Sequence, residues 1–276
     1  MTPVPGAQAF EVVRSADGQV VTCEDFLPQE VAVALVFNGV SHAVMMATPD
    51  DLEDFALGFA LTEGLLEDAS ELYGVETQVG DLGISLELTV AAACEWRIKA
   101  RRRQMAGRTG CGLCGVDDLG QVRRALSPVA STMVSYAAMA MAMRQLRQRQ
   151  ALQQQTGATH AAAWCGLQGQ VVWVREDVGR HNALDKLIGA MARARVDVHQ
   201  GFVCITSRAS FEMVQKAALA GVGVLAAVSA PTALAVEVAR ECGMALAGFV
   251  REDAGVAYAY PERFLSAANP VTSGIE

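Results

Sequence analysis

From residue 202 to residue 250 short apolar runs alternate with amphipathic stretches, and this alternation restricts the fold more than any other feature of the chain. Strands are expected at 202–206, 222–228 and 245–250, with helices at 210–220 and 232–242. Just before them, 160–165 and 171–175 read as a hairpin around Gln168-Gly169, followed by a helix over about 180–194. Val- and Ala-rich runs bounded by turn residues are the pattern of strands buried on both faces. The order predicts an α/β class, a three-layer α/β/α domain with ligands at the strand ends.

The N-terminal part follows a different pattern. Residues 31–37 and 41–46 read as two strands of a hairpin turned at Asn38-Gly39, and 84–90 as a further strand of the same small sheet. Thr48-Pro49-Asp50-Asp51 reads as a helix start, with an N-cap, a proline at the first position and acid in the first turn. Leu52, Phe55, Phe59 and Leu66 then form an apolar stripe. Past Pro128 an amphipathic segment carries Met139, Met143 and Leu146 on one side and stops at Thr156-Gly157. With 276 residues the chain exceeds the usual domain size of about 100–150. We therefore expect a smaller α+β domain over 1–128 and the α/β/α domain over 129–276.

Between 99 and 120 the periodicity disappears. Five glycines, several arginines and the run Cys111-Gly112-Leu113-Cys114-Gly115 predict a mobile loop there, the alternative being a poorly marked helix. Arg97, Lys99, Arg101, Arg102, Arg103 and Arg108 precede the cysteines; the run suits either a solvated stretch or a docking surface for an acidic partner. The formal net charge of −8 argues against general nucleic-acid binding. Residues 217–236 lack charge, but their glycines, Ser229, Pro231 and Thr232 divide them into helix end, strand and new helix, so no membrane insertion is expected. The N-terminus has neither the basic start nor the apolar run of a signal peptide, which predicts a cytoplasmic protein.

Seven cysteines, an odd number, fit reduced thiols better than a disulfide framework. Cys23, Cys94, Cys165, Cys204 and Cys242 stand alone and read as structural thiols. Cys111 and Cys114 allow a zinc half-site, a dithiol redox pair or a sulfur relay. Zinc would need further ligands, and no second Cys-x-x-Cys or His-x-x-x-His exists, so no metal site is expected. The flanking glycines suit a loop that reaches between protein surfaces, and nearby arginines favour the thiolate.

Two further constellations lie at strand-to-helix junctions. Residues 175–186 bring together both charge signs with His181, Asn182 and Asp185, which suits an anionic ligand or proton transfer, or equally helix capping by Asp177 with surface ion pairs. Residues 206–216 offer Ser207, Arg208 and Ser210 at a helix start, Met213 within the first turns and Lys216 two turns on. That is a candidate phosphate cradle, though it lacks the Walker spacing, and its plain alternative is an N-cap at Ser210. Residues 249–254 leave the last strand with Phe249 and Arg251, an aromatic and a cation suited to a purine nucleotide.

Taken together, Met45-Met46-Ala47-Thr48-Pro49, Asp54-Phe55-Ala56-Leu57-Gly58-Phe59, Thr62-Glu63-Gly64, the Cys-Gly-Leu-Cys-Gly run, 175–189 and 206–216 resemble the FdhD family of formate dehydrogenase accessory sulfurtransferases. The resemblance implies that Cys111 carries a persulfide received from a cysteine desulfurase, with Cys114 assisting. It implies transfer of that sulfur to the molybdenum or tungsten bis(molybdopterin guanine dinucleotide) cofactor, bis-MGD, of formate dehydrogenase. It also implies a cytidine-deaminase-like C-terminal domain that binds the guanine dinucleotide, with GDP-like nucleotides as mimics, and a homodimer. The family's cofactor-binding stretch maps onto Phe249, Val250, Arg251, Glu252, Asp253 and Ala254, and we place His181, Asn182, Ser207, Arg208, Ser210, Met213 and Lys216 with it. Deaminase chemistry itself is not expected: His181 is followed by Asn182-Ala183 rather than x-Glu, and no proline precedes Cys111. The other readings are a bis-MGD-binding chaperone without sulfur chemistry and a dithiol oxidoreductase.

Overall fold

The structure is a computed structural model that describes residues 2–105, 124–251 and 254–265. The chain opens with an antiparallel ribbon, β1 (Ala7–Ala16) and β2 (Gln19–Pro28), turned at Asp17-Gly18. Nothing in the sequence pattern marks it, because its apolar residues, Val13, Val20 and Val21 among them, are exposed rather than alternating into a core. Strands β3 (Val31–Phe37) and β4 (Val40–Ala47) form the expected hairpin. Asn38 and Gly39 take φ of 47° and 76°, the left-handed pair that matches the twist of the strands they join.

Helix α1 (Leu52–Thr62) starts later than Thr48-Pro49 suggests, because Thr48 is held elsewhere. Its N–H and hydroxyl both donate to Asp177 Oδ2, each at 3.0 Å. Strands β5 (Leu72–Gly80) and β6 (Gly83–Val90) complete a four-stranded sheet of order β4-β3-β6-β5. β6 joins the hairpin as expected, parallel to β3. Val33, Leu35 and Phe37 of β3 and Leu86, Leu88 and Val90 of β6 pack with Phe55 and Phe59 of α1 in one buried cluster. Helix α2 (Cys94–Met105) follows, so residues 99–105 are helical where loop was expected. The rest of that loop, residues 106–120 with Cys111 and Cys114, lies outside the described residues.

After β7 (Val134–Ser135) the expected amphipathic segment appears as two helices, α3 (Tyr136–Gln148) and α4 (Ala151–Thr156). The first turn of α4 is capped by the Glu176 carboxylate, which accepts from the N–H groups of Leu152 and Gln153 at 3.0 and 2.9 Å. Strands β8 (His160–Gly166) and β9 (Val171–Asp177) lead to α5 (Arg180–Arg193). The remaining elements are β10 (Gly201–Ile205), α6 (Phe211–Leu219), β11 (Val224–Ala227), α7 (Ala233–Cys242), β12 (Ala245–Arg251), β13 (Ala254–Ala259) and β14 (Phe264–Leu265). The larger sheet has the order β13-β12-β11-β10-β8-β9, in which β10, β11 and β12 are parallel. Every residue of β10 and β11 is buried, as strands covered on both faces must be. The chain is thus a mixed α/β protein. No helix among the described residues is long and apolar enough to cross a membrane.

The chain divides into two compact units, one of Met1–Ala125, Gln150–Ala161 and Arg175–Arg195, the other of Leu126–Arg149, Ala162–Val174 and Val196–Glu276. Residues 150–161 and 175–195 therefore join the N-terminal unit, where the sequence suggests a single boundary near Pro128. The cause is close packing of α5 on α1. A Cβ on Gly58 would meet the Asp185 carbonyl oxygen at 1.7 Å, and one on Gly189 the Asp54 carbonyl oxygen at 1.9 Å, so the two backbones approach where only glycine fits.

Candidate functional site

Parallel strands all point their C-terminal ends the same way, and the loops leaving them form a natural ligand ledge. In the second unit three such loops are joined by backbone bonds. Val228 N–H donates to Ile205 O at 3.1 Å and Thr232 N–H to Ala209 O at 3.0 Å, tying the loop after β11 to the loop after β10. Phe249 N–H donates to Ser229 O at 3.4 Å, tying the end of β12 to the same loop. Ser207 to Ser210 and Phe249 to Arg251, read separately in the sequence, are thus brought to one edge with the Ser229-Ala230-Pro231 loop between them. That middle loop is absent from the sequence expectations. Its signal, a turn directly after an apolar strand and before the Thr232 N-cap of α7, was present but marked only a chain break.

On this ledge Ser210 occupies the N-cap of α6 but makes no side-chain cap bond; its hydroxyl donates to Glu212 Oε2 at 3.3 Å. The N-cap alternative for Ser210 is therefore met in backbone position only. The Ser207 hydroxyl donates to the Arg208 carbonyl at 3.0 Å. Both serines, Met213 and Lys216 are buried, whereas Arg208 and Arg251 are exposed. Phe249 has φ of 53° and is 38% exposed, sitting in an irregular stretch of the β12–β13 ladder between Gly248 and Arg251. A left-handed aromatic residue is costly unless its surroundings hold it, and such bulges re-aim a side chain. Val250, next along, is buried, and Ala254 opens β13. Phe249, Val250 and Arg251 belong to β12 itself, not to a loop after it. Glu252 and Asp253 lie outside the described residues, as do Cys111 and Cys114.

The second constellation lies in the other unit, and most of it is internal framework. Asp177 Oδ1 accepts from Gly179 N–H at 2.8 Å and from Asn182 Nδ2 at 3.0 Å, while Asn182 Nδ2 also donates to Met46 O at 2.8 Å. Asp177 Oδ2 pairs with Lys186 Nζ at 2.8 Å, both side chains being fully buried. Lys186 Nζ also donates to Thr48 Oγ1 at 2.6 Å. Arg175 pairs with Asp54 at 2.6 Å, and Thr62 Oγ1 donates to Asp185 Oδ1 at 2.7 Å. His181, half-buried at the start of α5, lies near His160, whose imidazole is held below its usual range by burial and by the charges of Arg180 and His181.

Residues 28–265 match the model of the FdhD/NarQ family. Among relatives, a protein of Variovorax paradoxus named sulfur carrier protein FdhD is 55% identical over 264 residues, covering 95% of this chain and 92% of that protein. A protein of the same name from Cupriavidus necator is 54% identical over 260 residues, covering 94% and 90%. A crystal structure of a candidate formate dehydrogenase accessory protein from Desulfotalea psychrophila superposes with a TM-score of 0.75 at 23% identity, covering 95% of this chain and all of that one, a likeness of fold. The family match spans both units and every described candidate residue, and on it the chain belongs to the FdhD/NarQ family.

Proposed function

We propose that this chain is a sulfur carrier in formate dehydrogenase maturation, a sulfurtransferase with a persulfide on Cys111. The observation that carries this reading is the 55% identity, across nine-tenths of both chains, to a protein named sulfur carrier protein FdhD. The Cys111-x-x-Cys114 pair among glycines supplies the matching chemistry. In the first step the Cys111 thiolate attacks the outer sulfur of a cysteine desulfurase persulfide. A new S–S bond forms on Cys111, the desulfurase S–S bond breaks, and the desulfurase leaves as thiolate, so no external oxidant or reductant is needed. Cys114, three positions further along the sequence, assists the relay.

The acceptor in this reading is the molybdenum or tungsten bis-MGD client, with its guanine nucleotide on the ledge at the ends of β10, β11 and β12. Arg208, Arg251 and Lys216 are the cations for its phosphates and Phe249 the stacking face, with Ser207, Ser210, Met213 and Val250 shaping the floor. His181 and Asn182 are candidates from the residue types of 175–186 alone, and Asn182 donates to Asp177 and Met46 within its own unit. From the family resemblance we read the protein as a homodimer and the second unit as a cytidine-deaminase-like α/β/α scaffold. In support, α3 lies against β10, β12 and β13, and α7 packs on β12, β13 and α6.

Two experiments test the reading. Incubation with a desulfurase and cysteine, followed by intact-mass analysis, should show one added sulfur that Cys111→Ala abolishes. A dithiol oxidoreductase would instead lose two protons between Cys111 and Cys114 without gaining sulfur. Titration with GDP and GMP should show binding that Arg251→Ala and Lys216→Ala each weaken about tenfold; unchanged binding removes them from the site.

A further inference from the structure

A bulky residue keeps a left-handed backbone only where its neighbours impose it, and Phe249 keeps one, with φ of 53°, near the end of β12. The residue after it is anchored. Val250 is buried, and a Cβ on Gly255 of β13 would meet its Cγ2 at 3.3 Å and the Tyr136 ring at 3.4 Å. Tyr136 is itself packed on Phe264, with ring centroids 5.8 Å apart.

The residue before it is enclosed more closely. A Cβ on Gly248 would meet Ser229 O, Pro231 Cδ and Tyr258 Cε2, each at 3.0 Å. Carbon atoms settle at about 3.5–4.0 Å, so a side chain at this position must displace the loop or the ring. The Ser229 carbonyl is also the group that accepts Phe249 N–H, at 3.4 Å. The absence of a side chain at Gly248 thus lets the Ser229-Ala230-Pro231 loop come close enough to hold the next residue. The far end of that loop is fixed as well: Pro231 is bridged to Ala209, and Thr232 N–H donates to Ala209 O at 3.0 Å. Ala209 is fully buried and stands between Arg208 and Ser210. One uncharged loop therefore ties the backbone of the aromatic to the backbone of the cation and hydroxyl side of the ledge.

We infer that Gly248 is a positioning residue: by admitting the Ser229-Ala230-Pro231 loop it locks Phe249 in the left-handed backbone that turns its ring to the purine. The inference rests on the nucleotide-ledge reading. A ring held in place before the ligand arrives has no ordering cost left to meet on binding, which is why strain of this kind is retained at a binding site.

Two measurements test it. The first needs no ligand. In an ordinary strand alanine is more stable than glycine, whereas at a left-handed position the order inverts. Phe249→Gly should therefore melt about 2–4 °C above Phe249→Ala, and this gap should close in chains that also carry Gly248→Ala. Alanine equal to or above glycine at position 249 overturns the lock, and a gap that persists beside Gly248→Ala overturns the part given to Gly248. The second is GDP titration of the full chain. Gly248→Ala and Phe249→Leu should each raise the Kd about tenfold, the scale of one base stacked on an aromatic ring. Because the first change acts through the second residue, the double variant should also lose about tenfold rather than about a hundredfold. An unchanged Kd in Gly248→Ala, or losses that multiply in the double variant, overturns the positioning role. A wild type that binds no GDP defeats the nucleotide reading instead, and the melting order then decides the lock by itself.

Discussion

Lys186 is fully buried, with its ammonium against Asp177 Oδ2 at 2.8 Å, Thr48 Oγ1 at 2.6 Å and the Thr48 carbonyl at 3.1 Å. Truncating one member of such a pair leaves the other charge buried without its partner. Lys186→Met should therefore lower stability by about 3–5 kcal/mol, read from urea unfolding; a loss under about 1 kcal/mol would show the pair to be dispensable. His160 gives a pH-dependent counterpart. Burial, then the charges of Arg180 and His181, depress its pKa from 6.5, with Asp177 opposing. The folded state thus binds the proton less readily than the unfolded chain. Its contribution is complete above pH 6.5 and is lost as pH falls through the depressed folded value. A histidine titration followed by NMR should place the His160 midpoint below 6.5, and a midpoint above it would contradict this environment. At this scale the sequence reveals which residues are chemically able, not where they face. The cluster at 175–186 reads equally as a ligand site or as framework, and the deciding partners, Thr48 and Asp54, lie more than 120 residues away.

At the scale of elements the α1–α5 pair organises the N-terminal unit. Gly58 and Gly189 each stand against backbone of the facing helix, and backbone cannot rotate away as a side chain does. Gly58→Ala should therefore destabilise the protein by about 2–4 kcal/mol despite the better helix propensity of alanine, measured as a lowered Tm. A neutral or stabilising effect would show that the helices can separate at no cost. The helices and central strands were legible because burial imposes periodicity: α5 spans Arg180–Arg193 against an expected 180–194. The β1–β2 ribbon was not, since strands exposed along both faces carry no such pattern. The start of α1 was misplaced for another reason, a threonine that reads as a cap but bonds a distant aspartate.

At the scale of the whole molecule, two units are built from interleaved stretches of chain, and a sequence pattern read from left to right cannot reveal that interleaving. The candidate nucleotide ledge was legible in two of its three loops, because strand-to-helix junctions with hydroxyls and cations stand out. Its middle loop was missed because Ser229-Ala230-Pro231 carries no charge. The paired cysteines were legible from spacing alone, though three chemistries share that spacing. The most direct test of the account is the intact mass of the protein after incubation with a cysteine desulfurase and cysteine. The account predicts a single added sulfur, removable by reductant, that maps to Cys111 and is absent in Cys111→Ala. A wild-type mass without added sulfur, or the same adduct surviving in Cys111→Ala, would contradict it.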